Sequence, residues 1–456
     1  MSFLPLITHP RADSVIAWRD GNPITAARFL SDVARLGSML PTGAHMLNAC
    51  SDRYRFTVGL AAAITGQKIC LLPSTHTPEM MRQLQHFAPD VFCLTDNADC
   101  SVALPQMQYP ASREQSDTDE RAFVVPHLDS QQRVATVFTS GSSGMPLPHH
   151  KTWGALVRSV QAEAALCGLD DGRQHAVIGT VPPQHMYGFE STVLMVLQSA
   201  NALVAGEAFY PADICDVIAS VPRPRVLVST PVHMRALIGA DLSLPVADLI
   251  LSATAPLSSL LAQQLEEGFK ASLLEIYGCT ETGQIAMRQC ARTQEWTLFR
   301  GVHLTPQGDV AWASGGHIEQ PTPMNDVIES LADDRFLLHG RMADMVNIAG
   351  KRNSLVYLNL QLNAIAGVVD GAFFMPDSAA PEDVMRLTAF VVAPSLTAAA
   401  LMAALRARID SAFLPRPLIF VDALPRNATG KLPLAALQEL AASHHRLPEE
   451  QTRAPS

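Results

Sequence analysis

Apolar positions near the start of the chain follow two different spacings. Over Thr25–Leu40, the residues Ala26, Phe29, Leu30, Val33, Leu36 and Leu40 recur every three to four positions, which predicts a helix with one buried face. Ile69-Cys70-Leu71-Leu72 and Val91-Phe92-Cys93-Leu94 are short unbroken apolar runs, each ended by Pro or Asp, and predict strands buried on both faces. The polar, acidic stretch Ala111–Arg121 predicts a surface loop.

From Arg133 the alternation sharpens. Val134–Phe138 predicts a strand that runs straight into a Gly/Ser loop, and Trp153, Leu156, Val157, Val160 and Ala164 then keep helical spacing. Ala176–Ile178, Arg225–Val228, Asp248–Leu251 and Leu273–Ile276 are further strand-like runs, each ending at a loop rich in Gly, Ser, Thr or Pro. Strands alternating with helices predict a mostly parallel sheet, with ligands held by the loops beyond the strands' carboxyl ends.

The texture changes after Arg341. A hairpin over Asn347–Val356 is followed by a helix at Leu358–Ile365 and strands at Ala372–Phe374 and Leu387–Val392. A helix at Leu396–Phe413 and a last strand at Ile419–Val421 complete this region, and the tail from Ser443 is expected to fray. The predicted fold class is therefore α/β. A large N-terminal domain, residues 1–340, has mostly parallel sheets flanked by helices, and a small α+β C-terminal domain spans 341–456.

Composition narrows the function. Of 456 residues, 48% are apolar and 17% charged, which suits a folded chain and not a disordered one. The balance of 33 Lys and Arg against 43 Asp and Glu gives −10, so no excess of positive charge is available for nucleic acid or anionic lipid. No apolar run approaches the ~20 residues that span a bilayer, and the N-terminus lacks the basic start and apolar stretch of a signal peptide. The eight cysteines are dispersed without a CxxC pair, which favours reduced thiols over disulfides or zinc. A cytoplasmic location is expected.

Thr139-Ser140-Gly141-Ser142-Ser143-Gly144-Met145-Pro146 is the first candidate for chemistry. A strand delivering such a loop into a helix would offer backbone N–H groups, hydroxyls and the helix dipole to an anion. It lacks the Lys-Ser/Thr pair of a P-loop and is not a dinucleotide fingerprint. Further stretches follow in order: Ser252-Ala253-Thr254-Ala255-Pro256-Leu257, Tyr277-Gly278-Cys279-Thr280-Glu281, Asp326, Gly340-Arg341, and Leu424-Pro425-Arg426-Asn427-Ala428-Thr429-Gly430-Lys431.

This ordered set, over about residues 130 to 435, resembles the adenylate-forming superfamily of acyl-CoA synthetases, adenylation domains and luciferases. The resemblance implies a ligase that uses ATP and Mg²⁺ to convert a carboxylic acid to an acyl-adenylate. Transfer to the phosphopantetheine thiol of CoA or an acyl carrier protein would follow. It implies that Thr139, Ser140, Gly141, Ser142, Ser143 and Gly144 cradle the β- and γ-phosphates. Ser252, Ala253 and Thr254, with Tyr277 and Gly278, would flank adenine. Thr280 would meet the α-phosphate, Glu281 would hold Mg²⁺, Asp326 would accept the ribose hydroxyls, and Arg341 would sit near ribose and phosphate. Lys431 would reach in from the small domain to compensate charge on the reacting groups. Pro183-Gln184-His185-Met186-Tyr187-Gly188 resembles the aromatic/His loop bordering the acyl pocket, and His185, next to a strand end, is placed to orient a carboxylate or to act as a gate.

Two departures stand out. The phosphate loop of the family carries a Lys directly after its Pro, whereas Leu147 stands here, followed by Pro148-His149-His150-Lys151; Lys151 is the candidate replacement. The junction reads Arg341-Met342-Ala343-Asp344, with Ala343 where many relatives carry an acid, so Asp344 is the candidate hinge acid. In overall flavour the chain is similar to the AMP-ligases of aryl polyene and xanthomonadin pigment clusters, which implies a hydroxybenzoate- or hydroxycinnamate-like acid. The alternatives are a medium- or long-chain fatty acyl-CoA synthetase and a catalytically degenerate nucleotide-binding homologue. A hydrolase built on His185 would need a GxSxG elbow, which Gly141-Ser142-Ser143-Gly144 does not supply.

Overall fold

The computed structural model describes residues 2–73, 75–110, 123–140, 146–206, 208–308, 310–332, 334–341, 344–348, 351–376, 386–427 and 430–445. The stretch 111–121, expected as a surface loop, lies outside them, as do Gly141, Ser142, Ser143 and Gly144.

Among the described residues a six-stranded sheet has the order Pro146–Thr152, Arg133–Ser140, Ile69–Leu72, His45–Asn48, Phe92–Thr95, Gln106–Gln108. All its pairings are parallel except that of the first two strands, which are antiparallel. A second sheet of eleven strands is parallel through Ala176–Gly179, Arg225–Ser229, Leu249–Ser252 and Ser272–Cys279. It then turns antiparallel through Gly283–Arg288, Trp296–Leu298, Arg335–Arg341 and Asp326–Ala332. The α/β class holds, with sheets more mixed than the alternation of patterns predicted.

Helices cover these sheets as their patterns require. Ala26–Gly37 starts at Thr25, whose hydroxyl accepts from the Arg28 N–H, and buries Phe29, Val33 and Leu36. Arg53–Thr65 is buried on nearly every side, and its run of small residues Gly59-Leu60-Ala61-Ala62-Ala63 suits a helix enclosed on all faces. Trp153–Cys167 is capped by Thr152 and ends at Gly168 in the left-handed conformation, φ 67°. Trp153 and Phe189 are fully buried in the same core, each burial contributing roughly 1.5–3 kcal/mol.

Two expectations need correction. The strand Arg133–Ser140 does not deliver its loop into a helix. The chain turns back as the antiparallel strand Pro146–Thr152, with Ser140 opposite Pro146, and the helix begins only at Trp153. The described strands on either side of residues 141–145 are therefore antiparallel partners, and the chain resumes as strand and not as helix. The final helix, Leu434–His445, continues past Ser443, where fraying was expected.

In the C-terminal region the hairpin of Met345–Ile348 and Lys351–Ser354 leads to the helix Leu355–Asn363. A three-stranded sheet of Asp370–Phe374, Thr388–Val392 and Leu418–Phe420 follows. The predicted long helix is Ala398–Arg406 and a separate turn Ser411–Phe413, restarted by Asp410, whose carboxylate accepts from the Ala412 N–H. Leu358, Leu362, Phe373, Val391, Leu401 and Phe413 share a core local to this region.

Candidate active site

The carboxyl ends of the parallel strands form one rim, where Ser229 and Ser252 lie side by side. Ser252 and Ala253 are buried, and Ser252 Oγ finds no hydrogen-bond partner among the described residues. Thr254 takes φ +80°, a left-handed conformation that a β-branched residue rarely adopts, so the chain turns sharply off the sheet there.

The next strand runs through Tyr277 and Gly278 to Cys279, so these residues belong to the strand and only Thr280–Thr282 form the turn. The Tyr277 hydroxyl donates to Asp326 Oδ2 at 2.6 Å, and its ring stands beside Trp296 and Phe336. Asp326 in turn lies opposite Arg341 across the strand pair. Tyr277, Asp326 and the Arg341 backbone are thus drawn to one place. A Cβ on Gly278 would lie 2.2 Å from the Gly283 carbonyl, so only glycine allows the two strands to approach there.

The hairpin before Trp153 reaches the same turn. The Thr139 hydroxyl is 2.9 Å from His149 Nε2, and that nitrogen is 3.7 Å from Glu281 Oε1. Burial lowers the His149 pKa while the Glu281 carboxylate opposes the shift. Lys151 is buried, and its Nζ donates to the Glu281 backbone carbonyl at 3.0 Å. The expected replacement phosphate cation therefore sits beneath the turn, hydrogen-bonded to backbone. Burial pulls the Lys151 pKa down, and Glu190 leads the carboxylates that hold it up. Leu147, at the family's Lys position, is solvent-exposed.

From the far end of the chain, Gly430 and Lys431 come onto this rim. Gly430 has φ +77°, and a Cβ there would meet Val232 Cγ2 at 2.8 Å, so the segment lies directly on the helix Pro231–Gly239. Asn427 Oδ1 accepts from the Lys431 N–H at 2.9 Å. Burial lowers the His185 pKa from 6.5 to about 4, with the Lys431 charge the next cause and His76 after it. Lys431 and His185 are therefore electrostatic neighbours. His185 is neutral near pH 7 and able to hydrogen-bond a carboxylate without an ionic charge of its own.

Glu281 is exposed beside Thr280 at the turn, and no group of three or more metal-binding side chains occurs among the described residues. A lone accessible carboxylate fits Mg²⁺, which is held by one or two carboxylates plus substrate phosphates and does not need a cage of side chains. The side chains of Ser140 and Arg341 fall outside the described residues.

Several supporting residues carried no sequence signal. Arg53, buried in the largely apolar helix Arg53–Thr65, donates to the Gly179 and Val181 carbonyls at 2.9 and 2.8 Å and braces the segment leading to His185. Glu190, fully buried, accepts from the Ser159 hydroxyl at 3.0 Å and is pushed up to about 7 by burial. Neither lies in a motif; only the contacts reveal them.

Comparison with known proteins agrees with this geometry. The AMP-binding enzyme family matches residues 43–329. A 4-coumarate–CoA ligase of Rhodobacter capsulatus is 30% identical over 317 residues, covering 68% of this chain and 78% of that protein. A 4-chlorobenzoate–CoA ligase of Arthrobacter sp. is 24% identical over 367 residues, covering 71% and 68%. Among solved structures, ATP-bound MatB from Rhodopseudomonas palustris has a TM-score of 0.79 at 17% identity, covering 96% of this chain and 97% of that one. The o-succinylbenzoate CoA synthetase MenE from Bacillus subtilis, in complex with its acyl-adenylate intermediate, has a TM-score of 0.78 at 14% identity, covering 96% and 99%. With the family matched over most of the chain and the same fold in these structures, this chain belongs to the AMP-binding enzyme family and is an AMP-forming acid–thiol ligase.

Proposed function

We propose that this ligase activates an aromatic, hydroxybenzoate- or hydroxycinnamate-like acid as its acyl-adenylate and passes the acyl group to the phosphopantetheine thiol of CoA or an acyl carrier protein. The observation that carries the reading is the electrostatic neighbourhood of Lys431 and His185, supported by the separate Thr139–His149–Glu281 line of contacts. The aromatic assignment is supported by relatives named for 4-coumarate, 4-chlorobenzoate and hydroxybenzoate. The carrier-protein acceptor, the pigment-cluster setting and the cytoplasmic location extend the same proposal.

In the first half-reaction a carboxylate oxygen of the acid attacks the α-phosphorus of ATP, and the bond to the departing pyrophosphate breaks. Both partners are anionic, so positioning and charge compensation lower the barrier. Neutral His185 orients the carboxylate, Lys431 offsets negative charge as the two anions meet, and Thr280 hydrogen-bonds the α-phosphate. The loop 139–144 receives the outer phosphates, Tyr277 with Ser252–Thr254 borders adenine, and Asp326 accepts the ribose hydroxyls. Glu281 is the side chain assigned to Mg²⁺, which supplies neutralisation of phosphate charge when bound. In the second half-reaction the thiolate sulfur attacks the acyl carbon, and AMP leaves as its oxygen–carbon bond breaks.

The region from residue 341 acts here as a mobile domain that carries Lys431 in for adenylation and withdraws it for thiolysis. The Arg341–Asp344 junction is the pivot. The test is pyrophosphate release over benzoates, cinnamates and fatty acids, repeated with CoA and with a holo-carrier protein. Release with hydroxylated aromatic acids is expected. Release with fatty acids alone would reassign the substrate, and silence with every acid would identify a nucleotide-binding homologue without ligase activity.

A further inference from the structure

Lys431 lies on a loop, and a loop lysine places its charge reproducibly only when its backbone is held. One holding group, Arg426, belongs to the same motif as Lys431, and the other, Asp370, lies away from the motifs. Arg426 donates to both oxygens of Asp370, at 2.7 and 2.8 Å, and its remaining nitrogen donates to the Gly430 carbonyl at 3.0 Å. Asp370 opens the strand Asp370–Phe374 and is anchored in the C-terminal region. The bidentate pair fixes the plane of the guanidinium, and that plane fixes the carbonyl immediately before Lys431.

A second guanidinium reaches the same carboxylate from the other side. Arg235 Nη2, from the helix Pro231–Gly239 on which Gly430 rests, is 3.9 Å from Asp370 Oδ1. Side-chain exposures are 21% for Arg235 and 16% for Asp370, so water screens this pair incompletely. Asp370 thus stands between two cations, one on each side of the contact between the N-terminal and C-terminal regions. Val232, one turn earlier on the Arg235 helix, is the residue that packs on Gly430.

We infer that Asp370 and Arg426 are positioning residues for Lys431, and that Arg235 is a latch holding the C-terminal region in the adenylating arrangement. This rests on the proposed two-step function. For the second half-reaction, the Arg235–Asp370 contact must break while Arg426–Asp370, wholly within the C-terminal region, is carried along intact. The latch contact is long and single and the internal pair short and bidentate, as those two roles require.

Acid-dependent pyrophosphate exchange and thiolysis of supplied acyl-adenylate are measured separately for wild type, Arg235→Gln, Arg235→Lys and Asp370→Asn. Arg235→Gln is expected to slow exchange about fivefold, the scale of one partly screened charge pair, while thiolysis is unchanged or faster. Arg235→Lys restores most of the exchange. Asp370→Asn leaves two guanidinium groups facing each other without their carboxylate and slows exchange further. Equal losses in both half-reactions, or an Arg235→Gln protein with wild-type exchange, overturn the latch. Small-angle scattering supplies a readout independent of activity: Arg235→Gln should enlarge the radius of gyration, and an unchanged value counts against the latch. A wild type silent with every acid whose Arg235→Gln variant still expands would overturn the functional reading and keep the latch.

Discussion

Lys151 Nζ donates to the backbone carbonyl of Glu281 at 3.0 Å, while His149, two residues earlier on the same strand face, lies 3.7 Å from the Glu281 carboxylate. The hairpin that carries the candidate phosphate loop therefore grips the candidate Mg²⁺ residue at two points. Lys151→Met removes the lower grip and leaves Glu190 without its main counter-charge. Because Glu190 already lies near about 7, it takes up a proton readily, so the stability cost should be about 1–3 kcal/mol and not that of an isolated buried charge. Mg-ATP affinity should fall roughly tenfold, about 1.4 kcal/mol. Thermal melting and titration with a non-hydrolysable ATP analogue check the two effects. Unchanged nucleotide affinity would remove Lys151 from the site.

Lys431→Ala should lower acid-dependent pyrophosphate exchange at least about a hundredfold, the scale of one lost donor at a developing charge. Thiolysis of supplied acyl-adenylate should be spared. Losing the Lys431 charge should also let the His185 pKa rise from about 4, which NMR titration of the His185 ring can follow. Parallel losses in both half-reactions would contradict the assigned role.

Stability should depend on pH in two opposing ways. Burial lowers His9, His185 and His317 from 6.5 to about 4, so in that window the unfolded chain binds protons that the folded chain does not. The stability they contribute is lost as pH falls from 6.5 toward 4. Burial raises Glu163 to about 8 and Glu190 to about 7 from 4.5, so these carboxyls stay protonated in the fold after they would ionise in the unfolded chain. Their stability is lost as pH rises from 4.5 through those values. Below about pH 6.5 these three histidines outweigh the two acids, and above it the acids dominate. Denaturant unfolding should therefore be most resisted near pH 6.5, with slopes on the order of 1 kcal/mol per pH unit. Glu163→Gln should flatten the alkaline side, and a steady rise in stability through pH 8 would refute the assignment.

Gly278→Ala puts a methyl group 2.2 Å from the Gly283 carbonyl and 2.7 Å from Gln284 Cα. Both are backbone, so no side chain can yield. A loss of roughly 1–3 kcal/mol is expected by denaturant unfolding, together with weakened nucleotide binding as the Thr280–Glu281 turn shifts. Wild-type stability would mean that the strands separate there without cost.

The sequence by itself determined the elements whose burial has a simple period. The helix starting at Thr25, the strands at Ile69 and Arg225 and the hairpin after Asp344 follow from spacing, because a residue's near neighbours decide which face it shows. The ordered motifs likewise named Tyr277, Asp326 and Lys431, which the fold draws toward one rim. Tertiary structure alone decided the rest. The spacing from Val134 to Ala164 predicted a loop delivered into a helix; Pro146–Thr152 is instead a strand, and its two prolines are accommodated because it lies at the sheet edge, where a missing N–H is tolerated. Whether Lys151 faces phosphate or interior depends on Glu190 and on the Glu281 carbonyl. The setting of Lys431 likewise depends on Asp370, Arg426 and Val232. These partners are distant in sequence, and Coulomb attraction and burial act on distance in space, which no local pattern records.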